Sequence, residues 1–332
     1  TMWPMIALAL SLMTAGPPKD AFLQLPDAIT GGPAHVPIQR PAIFDVPRGL
    51  EPRIAFWHDI FSRYHSRQYV IHDIDQVDLI YLVVEVYPQP GEGRRAHRRR
   101  VRAVLKHRKK RIADLITALQ QSPPGKIAKR DRALAKKIKR LHQRFPRHAI
   151  GAAERLHAQR GQADRFRRGL LACLPLKGEI EHILASHGVP HEMYWLVYVE
   201  TMCDPRAYSH VGAAGLWQLM PGSARELGMT VTRKKDERLD VLAATHTAAR
   251  IFRRNHRMLK RWSLAITGYN HGHYGVKRMV AKHKTRRLDR LIVLTRKRSF
   301  GYASKNFFAE FIAALRLGMQ MEGSGGVGGS DS

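Results

Sequence analysis

The chain has 332 residues, 44% of them hydrophobic, and 57 Lys and Arg against 27 Asp and Glu give it a formal net charge of +30. That length can bury one large core or two modest ones, and that charge calls for an anionic partner. Beyond the N-terminus no stretch reaches the ~18 apolar residues of a membrane span, and eighteen histidines without a His-Glu-x-x-His pattern, with no Cys-x-x-Cys, give no expectation of a metal centre.

Residues 1–20 read as a signal peptide. Met2 to Gly16 is a short apolar stretch with small residues, though it lacks a basic start, and a short core or membrane-proximal helix is the other reading. No cysteine follows it to carry a lipid. Residues 21–52 read as a Pro-rich linker containing Gly31-Gly32-Pro33 and Pro41.

Residues 53–160 form a basic, mainly helical accessory region. Ile54, Trp57, Phe61 and Tyr64 make an apolar stripe at steps of three and four, and Val77 to Tyr87 supplies a second apolar helix or strand, closed by Pro88-Gln89-Pro90-Gly91. Bases then crowd Arg94 to Arg111 and Lys126 to Arg147, with Val101, Leu105, Ile112, Leu115 and Ile116 recurring at near-helical spacing. These are basic amphipathic helices broken at Ser122-Pro123-Pro124-Gly125. In a cytosolic protein their default partner is nucleic acid; for an exported chain an anionic wall polymer or anionic lipid surface displaces it. A merely solvated helical face explains the same run.

A helical domain follows from 165 to 285. Pro190 suits a first helical turn and Asp204-Pro205 stops a helix near Cys203, so Met193, Leu196, Val197 and Glu200 share one face. A carboxyl on an apolar stripe loses hydration, which favours its protonated form and makes it a proton donor near neutral pH. Asp240 is placed to cap a helix running through Phe252, and Lys260-Arg261-Trp262 to Ala265 begins the helix that carries Tyr269. Residues 286–321 are read as a C-terminal helical extension in which Phe307, Phe308, Phe311, Ile312, Leu315 and Leu317 make a docking face, and 322–332 as a disordered Gly-Ser tail. Cys173 and Cys203 could pair in an oxidising compartment, with two buried thiols as the simpler reading. His271-Gly272-His273 is the closest approach to a metal pair.

The spacing around Glu200 is more specific than its burial. A Ser lies nine residues on, a Gln eighteen on and a Met-Pro pair twenty on, in Glu200-Thr201 to Ser209, Gly215-Leu216-Trp217-Gln218 and Met220-Pro221, and Gly268-Tyr269-Asn270 follows. Over about 165–285 these motifs resemble the lytic transglycosylases of bacterial cell walls. The resemblance implies a lysozyme-like helical catalytic domain, peptidoglycan glycan strands as substrate and an envelope location.

It further implies that Glu200 protonates the bond between N-acetylmuramic acid and N-acetylglucosamine. The same residue then takes the muramic C6 hydroxyl proton to give a 1,6-anhydro product, with no cofactor. Tyr269 is expected to hydrogen-bond Glu200, Ser209 to meet an N-acetyl group, Gln218 and Met220 to line the cleft, and Asn270 to bind sugar or brace the loop. Gly212 and Gly215 serve close backbone approach or turn geometry. Thr201 and Gly268 stand where the family more often has serine and alanine.

No convincing second acid is visible, since Asp204 reads as a turn residue and Glu226, Asp236, Glu237 and Asp240 lie in a polar connection. A lysozyme-like hydrolase and a non-catalytic wall-binding scaffold are the alternatives.

Overall fold

The computed structural model describes residues 43–121 and 127–325. The signal-peptide reading, residues 21–42 of the linker, the Ser122 to Gly125 break and residues 326–332 of the tail lie outside the described residues, while residues 322–325, read as disordered tail, continue the last helix. The described chain is mainly α with one three-stranded sheet. It gathers into two compact units, residues 52–164 and residues 165–325 together with 43–51.

In the first unit, α1 (Glu51–Ser62) buries Ile54, Phe56, Trp57, Ile60 and Phe61. The helix ends at Ser62, so Tyr64 falls outside the predicted stripe. The segment left open between helix and strand is a strand: β1 (Gln68–Asp73) pairs antiparallel with β2 (Ile80–Glu85), where the β-branched and aromatic run Ile80-Tyr81-Leu82-Val83-Val84 favours a pleated, half-buried surface. α2 (Arg94–Gln120) turns Val101, Ile112, Leu115 and Ile116 inward to join Ile71, Tyr81 and Val84 in one core, with Ala135 and Ile138 of α3 (Arg132–Arg144) closing it. The single turn α4 (Pro146–Ala149) precedes β3 (Leu156–Arg160), which pairs with the other edge of β1 to give the order β2-β1-β3.

The region is mainly helical as expected, and the small sheet is an addition to that reading. Polar residues in β1 and β3, such as His72, His157 and Gln159, hid the alternation that marks a strand. At the end of β1 the fully buried Asp73 accepts backbone bonds from Asp75 and Gln76, both at 2.9 Å, and a 2.9 Å bond from Arg155 Nε. Its charge is thereby compensated inside the fold.

The second unit contains α5 (Ala163–Cys173), α6 (Lys177–Ser186), α7 (Leu196–Glu200), α8 (Pro221–Glu226), α9 (Val241–Leu259), α10 (Trp262–His271), α11 (His273–His283), α12 (Leu288–Leu294) and α13 (Tyr302–Gly325). α9 is its central helix, packed by α6 and α10. The Asp240 side chain accepts from the Leu242 and Ala243 amides at 3.0 and 2.9 Å, the capping expected at this position. The helix continues past Phe252 to Leu259 because Asn255 and Leu259 extend its buried stripe, the Asn255 amide donating to the Ala265 carbonyl at 3.2 Å.

α13 packs against both α7 and α10, and Phe307, Phe308, Phe311, Ile312, Leu315 and Leu317 are all buried. Truncating one such buried Phe to Ala costs about 3–5 kcal/mol, so residues 302–325 belong to the core of this unit. Phe44 packs edge-on against Phe311 at 5.0 Å and holds residues 43–51 to it.

Candidate active site

The stretch leading to Glu200 begins as a 3-10 helix, His191–Trp195, and passes directly into α7. The helix was expected to reach Cys203 but stops at Glu200. Met202 and Cys203 have positive φ, 54° and 62°, a left-handed backbone no α-helix accommodates. Two bonds hold this break. A disulfide joins Cys203 to Cys173 of α5, with Cα atoms 5.7 Å apart, so the pair is bridged and not two free thiols. The Thr201 hydroxyl donates to the Val197 carbonyl at 3.2 Å and accepts from the Asp204 amide at 3.1 Å. Threonine thus keeps the hydroxyl function, with Leu216 O also within 3.4 Å.

Glu200 is partly exposed at this helix end, and among the described residues no cation lies within ion-pair distance of it. Burial pushes its carboxyl up to about 8. One value near neutrality means a carboxylic acid at pH 7 that can still ionise.

The sequence reading missed a second acid here. Glu310 on α13 is likewise pushed up to about 8, by burial first and by the Glu200 charge second. Its position is fixed by two anchors on α13. Ser304 Oγ donates to Asn270 Oδ1 at 2.8 Å on one side, and on the other the Trp195 ring lies where a side chain at Gly318 would be. α7 runs from beside Trp195 to Glu200, so its C-terminal end meets α13 near Glu310. The reason it was missed is local: Glu310 sits among Phe307, Phe308 and Phe311, a stretch legible only as a packing face.

Tyr269 does not donate to Glu200 as expected. Its hydroxyl donates to the Trp217 carbonyl at 2.6 Å, while its ring stacks on Phe252 with centroids 4.5 Å apart. The two residues are nevertheless electrostatic neighbours, since burial first and the Glu200 charge second push the Tyr269 phenol well above its ordinary value. A neutral Tyr269 thus ties the helix bearing the third motif to the loop bearing the second.

That loop is built around a residue the sequence reading passed over. Arg238 is buried, pairs with Asp236 through Nη2 at 2.8 Å and Nε at 2.9 Å, and donates from Nη1 to the carbonyls of Gly212 and Leu219 at 2.7 and 2.9 Å. Gly215 (φ 77°) passes so close to the Arg238 carbonyl that no Cβ fits. Trp217 is buried and donates from its indole to Thr245 at 2.8 Å. Gln218 takes a positive φ of 46°, and its amide donates to the carbonyls of Gly215 at 3.0 Å and Ala207 at 3.3 Å.

Ser209 closes the same loop, its hydroxyl accepting from the Ala213 amide at 2.9 Å. Met220 is 45% exposed at the start of α8 and offers an apolar side chain to solvent. Asn270 is exposed beside Tyr269 and engaged by Ser304. Ser209 and Gln218 therefore share one loop, Tyr269 is bonded to it, and the Glu200 charge acts on both Tyr269 and Glu310. Among the described residues no cluster of three metal-ligating side chains occurs; the His271 ring packs edge-on against Phe300, and that of His273 lies tilted against Tyr274.

Residues 180–292 match the sequence model of the transglycosylase SLT domain family. A stretch of 102 residues is 36% identical to the membrane-bound lytic murein transglycosylase D of Escherichia coli strain K12, covering 30% of this chain and 23% of that one, and equally to that of Escherichia coli O6:H1. It is 30% identical over 102 residues to a putative tributyltin chloride resistance protein of Alteromonas sp. strain M-1, covering 49% of that chain. The chain thus spans under a quarter of the length of the first two relatives. Glu200, Ser209, Gln218, Met220, Tyr269 and Asn270 all fall within the family match, and Glu310 lies beyond it.

Proposed function

We propose, on the premise that residues 180–292 are a transglycosylase SLT domain, that this protein is a peptidoglycan lytic transglycosylase. It cleaves the β-1,4 bond from N-acetylmuramic acid to N-acetylglucosamine. The observation that carries the reading is the Glu200 carboxyl, held up to about 8 by burial with no cation beside it. A carboxylic acid at neutral pH can protonate the departing glycosidic oxygen, while the substrate's acetamido oxygen supports the positive C1. The resulting Glu200 carboxylate then takes the proton of the C6 hydroxyl as that oxygen bonds to C1. The acid is regenerated and a 1,6-anhydro ring forms without water.

In this reading Gln218 and Met220 line the cleft and Ser209 receives the N-acetyl group, its hydroxyl proton still free to donate. Asn270 binds sugar or braces its loop, and Tyr269 orients the site through Trp217. No cofactor takes part. The disulfide and the substrate both suit an envelope compartment such as the periplasm, and no helix among the described residues is long and apolar enough to cross a membrane. The exposed Arg95, Arg99, Arg102 and Lys106 stripe of α2 is suited to hold the enzyme against an anionic wall polymer or lipid surface.

A second reading, hydrolysis, draws support from Glu310, because a second carboxyl near the first can activate water. Digestion of purified peptidoglycan by the protein and by Glu200→Gln distinguishes them. Muropeptides ending in 1,6-anhydro-muramic acid, absent with the variant, are expected. Products heavier by one water establish a hydrolase, and wall binding without products leaves a scaffold.

A further inference from the structure

We infer that the N-terminal end of α10 carries a second site, separate from the acid pair, that binds an oxyanion: a phosphate or carboxylate group on a small molecule or polymer end. Here a cavity of about 480 Å³ is lined by Asp45, Arg48, Arg261, Ser263, Arg286 and Arg287. Four guanidiniums face one carboxylate, so the cavity is strongly cationic. A neighbouring hollow of about 310 Å³ shares Asp45, Arg261 and Arg286 and adds Lys260 and Trp262.

The local bonds leave much of this charge unspent. Arg261 pairs with Asp45 and Arg287 with Asp289, but Arg48 has no ion-pair partner among the described residues, and Arg286 makes only a 3.2 Å bond to the Leu259 carbonyl. Ser263, 1% exposed, lines the cavity in the first turn of α10, and its hydroxyl makes no hydrogen bond among the described residues. A buried, unpartnered hydroxyl beside several guanidiniums is a donor awaiting an acceptor. The first-turn amides of α10 have no partner within the helix and carry the positive end of its dipole, so the backbone favours the same ligand. Guanidinium forks match the paired oxygens of phosphate and carboxylate.

The hollow adds a flat wall. Trp262 stacks on His256 with centroids 4.1 Å apart and planes 11° from parallel. A ligand larger than a bare ion would lie against this face with its anionic end toward Ser263.

The site lies at the opposite end of α10 from Tyr269, the residue on that helix which feels the Glu200 charge. Ser263 opens α10 and Tyr269 lies in its last turn, about 9 Å further along the axis at 1.5 Å per residue. Occupancy can therefore be read without assaying glycan cleavage.

The test is a titration of the full chain with inorganic phosphate, and separately with N-acetyl-D-alanyl-D-alanine, at low ionic strength. The reporter is the Trp262 indole N–H resonance in ¹⁵N-labelled protein. Saturable movement of that resonance is expected, weakened at least tenfold in Arg286→Ser and in Ser263→Ala, and unchanged in Arg99→Ser/Arg102→Ser on the basic helix of the other unit. Response to phosphate alone assigns a phosphate ligand, and response to the peptide alone a carboxylate. A Trp262 resonance that does not move with either probe overturns the site. So does movement that survives both pocket variants while their spectra remain those of a folded protein.

Discussion

Glu200 and Glu310 belong to α7 and α13, and the charge of the first raises the proton affinity of the second. Two neighbouring carboxyls cannot both ionise without repulsion, so the pair holds a proton at a pH where a solvated glutamate has lost it. An acid catalyst needs that state, and the base step needs its reversal.

Replacing Glu310 by Gln removes one of two like charges. The apparent pKa of Glu200 then falls, and the high-pH limb of kcat/KM on peptidoglycan moves to lower pH. A pH–rate profile of Glu310→Gln checks this. A displaced limb with activity retained shows electrostatic support, whereas loss of product at every pH gives Glu310 a chemical role. A limb that stays in place removes the link.

The same shift has a thermodynamic consequence. Folded carboxyls held up to about 8, against an ordinary value of 4.5, bind protons that the unfolded chain has released between those limits. Their contribution to stability is present below about pH 4.5 and is lost as pH rises through 8. Glu310→Gln is therefore expected to raise Tm relative to the parent at pH 8.5 and to change it little at pH 4, as calorimetry at both values will show.

The Cys173–Cys203 bridge, whose ends are 30 positions apart in sequence, closes a loop whose entropy is worth roughly 3–4 kcal/mol. Reduction, or Cys173→Ser/Cys203→Ser, should lower stability by about that amount in denaturant titrations. It also frees the left-handed Met202 and Cys203 backbone behind Glu200, so activity should fall before the domain unfolds. Equal Tm values with and without reductant would contradict this.

Arg238→Met removes the guanidinium that pairs with Asp236 and donates to the carbonyls of Gly212 and Leu219 inside the fold. Breaking such a buried pair costs about 3–5 kcal/mol. Lysine at 238 should recover little, because one ammonium cannot span the positions reached by a forked guanidinium. Chemical denaturation of both variants tests the difference.

Most of the candidate site was legible because its chemistry is written in short-range spacing. Glu200, Ser209, Gln218 and Tyr269 announce themselves by type and interval, and Asp240 by its place before an apolar run. What escaped was set by contacts distant in sequence. Glu310 reads as an interruption in a phenylalanine face until α13 is laid on α7. Arg238 reads as one more surface base until its fork is seen holding two carbonyls of the loop. Tyr269 was assigned the right neighbourhood and the wrong acceptor, since nothing in Gly-Tyr-Asn tells that the Trp217 carbonyl lies 2.6 Å from its hydroxyl. In residues 52–164 the sheet was lost for another reason: β3 is as polar as a loop and becomes a strand only because β1 offers it an edge.

The packing of α13 sets where this protein can be cut. Similarity to the family stops at residue 292, yet Phe307, Phe308 and Phe311 beyond it fill the interior against α7 and α10. A fragment trimmed at the edge of resemblance would retain every recognisable motif. It would also carry an open greasy wound, and would reach the test tube as sticky, inactive aggregate with its signature residues intact.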